Sequence, residues 1–358
     1  MTTTTATCPQ CGTAVSGADR FCESCGYPLR RKEFGTWTVR GTVTEPCPEC
    51  GTPRGADEYC ASCGGRLPDG TDHYAADLGA AAVISDIGLV HAHNEDGVAA
   101  AVTVDDGGRQ IAAVVCDGIS TVQRPEDAAM VGSRAALVVL ADDLATGAPG
   151  KQSMVAAVAA AVKAIAGQLR PGDTEPPACT FVAARVADPA AGPAQVTVGS
   201  VGDSRAYWLA RGFGRSRRLT EDDSWAAEMV RAGMDERAAM AAPQAHAITR
   251  WLGADIAHDP EATRPRLVEF EADGPGVLLL CSDGLWNHLS EADALAQQVF
   301  AADRLDLAEA ARRLVDLALA GGGEDNITVV LVDLTAAPES DQSSAATVVL
   351  RSPDPTST

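Results

Sequence analysis

The 358-residue chain is short of positive charge: 28 Lys and Arg face 49 Asp and Glu, for a formal net charge of −21 at pH 7. A cloud of that sign repels nucleic-acid backbone and anionic lipid, and it favours sites for cations or for basic protein segments. Long apolar runs are also missing. The longest, "MVAAVAAAV" at 154 to 162, is about half of what a membrane span requires. The opening "MTTTTATCPQ" has neither the basic nor the apolar region of a secretory signal, so a cytoplasmic protein with no membrane role is expected.

What is present begins with cysteine. Eight of the 11 cysteines fall in the first 63 residues, as four Cys-x-x-Cys knuckles: Cys8 and Cys11, Cys22 and Cys25, Cys47 and Cys50, Cys60 and Cys63. Each knuckle is followed by Gly, which lets a tight turn bend back so that two thiolates face one tetrahedral ion. Two knuckles complete a four-cysteine zinc site, so the expected sets are 8/11/22/25 and 47/50/60/63, holding two Zn²⁺ ions. The competing reading is four disulfides in an exported domain, for which no export signal speaks. The segment resembles the double zinc ribbons found at the ends of many bacterial and archaeal proteins. Such ribbons can bind nucleic acid, dock another protein or act as a stabilising cap. "RRKEF" (Arg30 to Phe34) is the single basic cluster between them and reads as a solvated linker.

Beyond residue 78 the pattern is mixed. Runs rich in Val, Ile and Thr at 111–116, 179–187, 196–209, 277–281 and 326–334 predict strands. Ala-rich stretches at 127–144, 152–169, 222–232, 291–301 and 306–320 predict helices, with capping signals at Ser290/Asp293 and Asp306/Glu309. Strands and helices are not in strict alternation, which predicts an α+β layered fold with antiparallel sheets. The expected division is a ribbon domain at 1–65, a Gly- and Asp-rich linker at 66–77, a large domain at 78–335 and a disordered polar tail at 336–358.

Three acids stand out. Asp117 follows the apolar run "IAAVVC", Asp283 follows "GVLLLCS", and Asp325 precedes "NITVVLV". A carboxylate at a core margin is costly unless paired or coordinated. Three that converge without Lys or Arg need a cation, and a hard divalent ion with oxygen ligands is the simplest one. Taken singly, each Asp is better read as an ordinary strand-end turn former.

The series "SDIGLVHAHNED" (85–96), "VVCDGIS", "ACTFVAARV" (178–186), "VTVGSVGDSRAYWL" (196–209), "LLLCSDGLWNHLS" (278–290) and "GGGEDNITVVLV" (321–332) resembles the metal-dependent serine/threonine protein phosphatases of type 2C. The resemblance spans about residues 78 to 335 and implies an antiparallel β-sandwich flanked by helix pairs, a four-layer α-β-β-α arrangement. It also implies that Asp117 bridges two Mn²⁺ or Mg²⁺ ions and that the Gly118 carbonyl binds one of them. Asp283 and Asp325 then bind the other, and Glu95, with Asp96 beside it, meets a metal directly or through water. Asn326 either orients Asp325 or reaches the bound group. The implied reaction is hydrolysis of phosphoserine and phosphothreonine in proteins, opposing a serine/threonine kinase. The water is activated between two ions about 3.5–4 Å apart, with no covalent phosphoenzyme. Consistent with that, Cys116, Cys179 and Cys281 read as small core residues rather than nucleophiles. Asp203 and Arg205 read as a buried turn network, and segment 211 to 250 corresponds to the family's variable flap.

Three departures from the family pattern accompany the match. His91 stands where the family usually has an Arg that clasps phosphate. "ISTVQRPED" replaces the usual Gly-rich run after Asp117-Gly118. Asn287, with Glu175, falls where the family places acids for a further metal, and an amide supplies no charge. Two other functions compete: a scaffold without catalysis that binds phosphorylated partners, which the intact acids oppose, and a zinc-ribbon nucleic-acid binder, which the net charge opposes.

Overall fold

The strand sequences bury both of their faces, and two stacked sheets between helices are the arrangement that results. In the computed structural model, residues 5–7, 14–16, 38–39, 46–47, 50–53, 55, 59–65, 67, 72–105, 107–212, 214–272, 274–334 and 344–349 are described. A short hairpin of β1 (Thr5–Thr7) and β2 (Ala14–Ser16) is followed by β3 (Thr38–Val39), β4 (His73–Asp77), β5 (Ala81–Asp86), β6 (Gly97–Asp105) and β7 (Gly108–Cys116). Helices α1 (Pro125–Thr146) and α2 (Gly150–Ala166) come next, then β8 (Ala178–Cys179), β9 (Phe181–Pro189), β10 (Gln195–Val201), β11 (Arg205–Ala210) and β12 (Arg217–Arg218). The flap holds α3 (Trp225–Arg231) and α4 (Glu236–Met240), and β13 (Leu252–Gly253), β14 (Arg266–Glu271) and β15 (Gly276–Cys281) follow it. The chain continues through α5 (Asp283–Trp286), α6 (Ala292–Val299), α7 (Leu307–Ala320), β16 (Ile327–Asp333) and β17 (Ser344–Val349).

One sheet has the order β14-β10-β9-β7-β6-β17 and the other β12-β11-β15-β16-β5-β4-β3, with every neighbouring pair antiparallel. The period of two along each strand divides the core. In β7, Ile111, Ala113 and Val115 point between the sheets, while Ala112, Val114 and Cys116 point toward α1 and α2. In the second sheet Leu278 and Val330 face inward, and Leu279 and Leu331 face α6 and α7. The expected four layers are present.

The differences have physical causes. The run at 196–209 is two strands: a turn at 202–204 sends β10 and β11 into different sheets. Strands β5, β6 and β14 escape a propensity reading; in β6, "GVAAAVTVD", alanine carries little strand signal and pairing with β7 over nine residues decides. Asp306 caps α7 as expected, accepting from the Glu309 N–H at 2.9 Å. Ser290 does not cap α6, whose first turn begins after Glu291 with no side-chain cap. The expected linker is partly strand, since His73–Asp77 pairs with β5. Part of the tail expected to be disordered is also strand: Ser344–Val349 extends the first sheet alongside β6. Among the described residues no helix is long and apolar enough to cross a membrane.

Candidate metal centre

Topology gathers the acids at one end of the sandwich. β15 and β16 are antiparallel neighbours, with Cys281 opposite Val329, so Asp283 just after one and Asp325 just before the other share an edge. Ile327 lies opposite Asp86, so the loop 87–96 leaves β5 at that same edge. In the facing sheet β7 ends there too, at Cys116. The Asp117 N–H donates to Thr180 Oγ1 (3.0 Å), and the Thr180 N–H donates to the Asp117 carbonyl (2.8 Å). The Gly118 N–H donates to the Glu95 carbonyl at 3.2 Å, joining loop 87–96 to the end of β7.

Asp117, Asp283, Asp325 and Glu95 keep a partly exposed edge, and Asp96 lies buried among them. Withdrawal from water pushes the Asp117 carboxyl well above the usual carboxylate range, and the charges of Asp96, Asp283, Asp203 and Asp325 push the same way. Asp96 is raised by burial, which outweighs the lowering by hydrogen bonds with Thr328 and Ser282 (Ser282 Oγ donates to its Oδ2 at 2.8 Å), and the charges of Asp325 and Asp283 add a smaller push upward. Asp283 is raised to about 6, again by burial and then by Asp325. Asp203, at the turn between the sheets, is raised by burial and by Asp283. Oδ1 of Asp96 and Oδ1 of Asp283 are buried without a hydrogen-bond partner. Among the described residues no Lys or Arg forms a salt bridge with Asp96, Asp117, Asp283 or Asp325; His91 Nε2 lies 3.3 Å from Asp325 Oδ1. A cluster of carboxylates this crowded, with orphaned oxygens and, among the described residues, no lysine or arginine partner, fits hard divalent cations.

The expected residues do not all sit alike. The Glu95 carboxylate accepts from Ser120 Oγ at 2.5 Å, so it is held by the loop that replaces the family's Gly-rich run. His91, which stands where the family usually has an Arg, meets Asp325. Asn326 is buried and lies beneath the acids rather than among them. Its Nδ2 donates to the carbonyls of Ile87 (2.8 Å) and His93 (3.1 Å), and its Oδ1 accepts from the Glu95 N–H (2.8 Å). Its own N–H donates to Asp325 Oδ1 (2.8 Å), so it both shapes the loop and contacts Asp325. Asn287 Nδ2 donates to Asp283 Oδ2 at 3.2 Å, and Glu175 is exposed.

Sequence reasoning passed over the residues that hold the acids. Thr180 and Ser282 both stand inside the quoted motifs, as the Thr of "ACTFV" and the Ser of "CSDGLW", and that proximity was the available signal. Arg124 gave none. It closes the altered loop with left-handed backbone (φ 55), and its guanidinium is pinned by Asp173 at 2.7 Å and by the Gln168 carbonyl at 3.2 Å.

The second zinc set is assembled by its backbone. The N–H of Gly51 donates to the Cys47 carbonyl and that of Gly64 to the Cys60 carbonyl, both at 2.8 Å, with both glycines at positive φ (70° and 76°). Ligand atoms of Cys47, Cys50, Cys60 and Cys63 all lie within 4.8 Å of one another. Cys47 and Cys63 Sγ are 3.6 Å apart, as are Cys50 and Cys60, and none of the four is in a disulfide. Hydrogen bonding with Thr52 lowers the Cys50 thiol to about 6. The Gly65 N–H lowers Cys63, but hydrogen bonds shared with Cys50 and Cys47 prevail and push it up to about 12. Four free thiols gathered this closely suit a thiophilic ion. Cys8, Cys11, Cys22 and Cys25 lie outside the described residues.

Two sequence families match the chain: protein phosphatase 2C over residues 90–318 and double zinc ribbon over residues 8–66. The chain is 35% identical over 255 residues to the serine/threonine protein phosphatase PstP of Mycobacterium tuberculosis, covering 70% of this chain and 44% of that protein. It is 37% identical over 155 residues to the serine/threonine phosphatase stp of Listeria innocua, covering 43% of this chain and 56% of that protein. It thus spans about half the length of these relatives. The crystal structure of the M. tuberculosis phosphatase PstP/Ppp superposes with a TM-score of 0.56 at 31% identity, covering 72% of this chain and 98% of that one. The catalytic domain of PstP in complex with two manganese ions gives a TM-score of 0.53 at 29% identity, with the same coverage.

Proposed function

We propose, from the premise that this chain belongs to the protein phosphatase 2C family, that it hydrolyses phosphoserine and phosphothreonine esters of proteins with the help of two divalent metal ions. The observation that carries this reading is the set of crowded carboxylates that, among the described residues, has no lysine or arginine partner and only His91 beside Asp325. Asp117, Asp283, Asp325 and Glu95, with the Gly118 carbonyl, would hold Mn²⁺ or Mg²⁺, and a complex of a relative with manganese favours Mn²⁺. Bound there, such ions supply positive charge for phosphoryl oxygens and acidify water.

The chain's own residues do the positioning. Thr180 fixes Asp117 at the end of β7, and Ser282 fixes Asp96 beneath the other acids. Asn326 sets the path of loop 87–96 and with it the place of Glu95. His91, at the rim, can donate to a phosphate oxygen where the family uses an Arg fork, which gives a weaker hold.

The domain reading that fits is a phosphatase unit whose main body runs from about residue 72 to 334, with the first cysteine set ahead of β3 and the second between β3 and β4. We assign Zn²⁺ to both cysteine sets, a docking role for another protein to the ribbons, and phosphoproteins made by a serine/threonine kinase as substrates. A cytoplasmic setting suits reduced zinc-binding thiols.

The test is phosphate release from a phosphothreonine peptide by the full chain with Mn²⁺, with and without a chelator, alongside elemental analysis. Chelator-sensitive turnover and two zinc ions per chain are expected. No phosphate release at saturating Mn²⁺ would overturn the proposal.

A further inference from the structure

The segment bearing the second zinc set is inserted between two strands of the phosphatase sheet. β3 and β4 are antiparallel edge partners, with Thr38 opposite Ala75 and Val39 opposite Tyr74. The chain between them, residues 40 to 72, contains Cys47, Cys50, Cys60 and Cys63. Where that segment returns to the sheet, it meets the start of loop 87–96. The Asp72 carbonyl accepts from the Ile87 N–H at 2.7 Å. His73 Nδ1 lies 2.8 Å from Asp86 Oδ2, and Asp86 Oδ1 accepts from the Gly88 N–H at 2.9 Å.

The path continues to the acids. Gly88 has positive φ (77°), and a Cβ there would stand 2.3 Å from the Asp325 carbonyl and 2.8 Å from that of Gly323, so only glycine fits. The Leu89 N–H donates to the Gly323 carbonyl at 2.7 Å, so the turn lies against the strand approach that bears Asp325. Beyond it, Asn326 holds the Ile87 carbonyl with one end of its amide and the Glu95 N–H with the other.

We propose that His73 is a positioning residue for the metal centre, which fixes through Asp86 the turn at 86–89 that seats Asp325 and leads to Glu95 and Asp96. The inference rests on the metal-dependent reading above and extends it to a residue that touches neither metal nor substrate. It also moves the working boundary of the phosphatase unit. A division at residue 78 leaves Asp72 and His73 in the linker, although they contact the scaffold of the site. Loss of a partner bonded directly to a metal ligand weakens metal binding by about 10- to 100-fold, and a residue one contact further out is expected at the lower end of that range.

The test uses the full chain with two substitutions at one position. His73→Leu keeps bulk and strand preference but loses the hydrogen bond, while His73→Asn keeps a donor near the place of Nδ1. Manganese binding is measured by calorimetry, with zinc content and melting temperature as controls for the ribbon and the fold. Expected is a loss of Mn²⁺ affinity of about tenfold in His73→Leu, recovered in large part by His73→Asn, with zinc content unchanged. Equal Mn²⁺ affinity in both variants and the native chain would overturn the inference, and so would an equal loss in both. Failure of the metal-dependent reading looks different, since the native chain would then bind no Mn²⁺ at all.

Discussion

Two groups of buried aspartates share this scaffold and are treated in opposite ways. At the root of the flap, Asp222 receives both arms of Arg205, at 3.0 and 2.6 Å. Asp223, fully buried, is met by Arg266 at 2.7 Å and Arg250 at 3.2 Å. At the end of the sandwich, Asp96 and its neighbours have no such arginines, and two of their oxygens are left without partners. Where the fold needs an ionised aspartate, the sequence places guanidinium beside it, because an isolated buried charge is costly. The missing arginines at the other cluster are therefore informative. They are the ground on which we propose a cation site there.

The comparison breaks most sharply on substitution. Asp117→Asn or Asp283→Asn is expected to lower Mn²⁺-dependent phosphate release by more than about 100-fold, because a charged ligand of a shared site is lost. The same changes relieve repulsion in the metal-free chain, so its melting temperature in the presence of chelator holds or rises. At the arginine-matched group the pattern reverses. Asp223→Asn strands Arg250 and Arg266 and is expected to cost about 3 kcal/mol of stability, read by denaturant unfolding. A melting temperature that falls equally for both classes of variant would remove the distinction.

Acidity sharpens it further. Asp283 has its carboxyl raised from 3.8 to about 6, and Asp96 and Asp117 are raised as well. A folded-state value above the unfolded one means that the native chain binds more protons than the unfolded chain across the interval between them. Metal-free stability then falls as pH rises, for Asp283 from about 4 to about 6. Bound Mn²⁺ removes the repulsion, so the rise in melting temperature on adding Mn²⁺ should be larger near pH 7.5 than near pH 5, where protons compete with the metal for the same oxygens. A shift of the same size at both pH values would count against the cluster as the binding site.

The smallest expected effect belongs to the rim. His91→Arg replaces a single donor by a charged fork and is expected to lower KM for an aryl phosphate by a factor of about three to ten, roughly 1 kcal/mol, with a smaller change in kcat. An unchanged KM would mean that His91 does not meet the phosphate.

The acids were legible in the sequence because each sits in a short contiguous motif whose neighbours determine its place. Asp117 ends an apolar strand, and Asp325 begins one. The layered fold was legible for a similar reason, since β7, β15 and β16 are dense in Val, Leu and Ile. What could not be read depends on distant partners. Thr180 acts through pairing across to Asp117, Asn326 through a loop more than 230 residues away, and His73 through the register of β4 on β5. Local chemistry shows which residues can bind a metal, but only strand register shows which residues hold them in place.

The most direct test of the central claim is calorimetric titration of Mn²⁺ into the zinc-loaded full chain near neutral pH, repeated with Asp283→Asn. Uptake of two Mn²⁺ ions beyond the zinc is expected, with at least one lost or greatly weakened in the variant. Uptake that is absent in the native chain, or unchanged in Asp283→Asn, would contradict that claim.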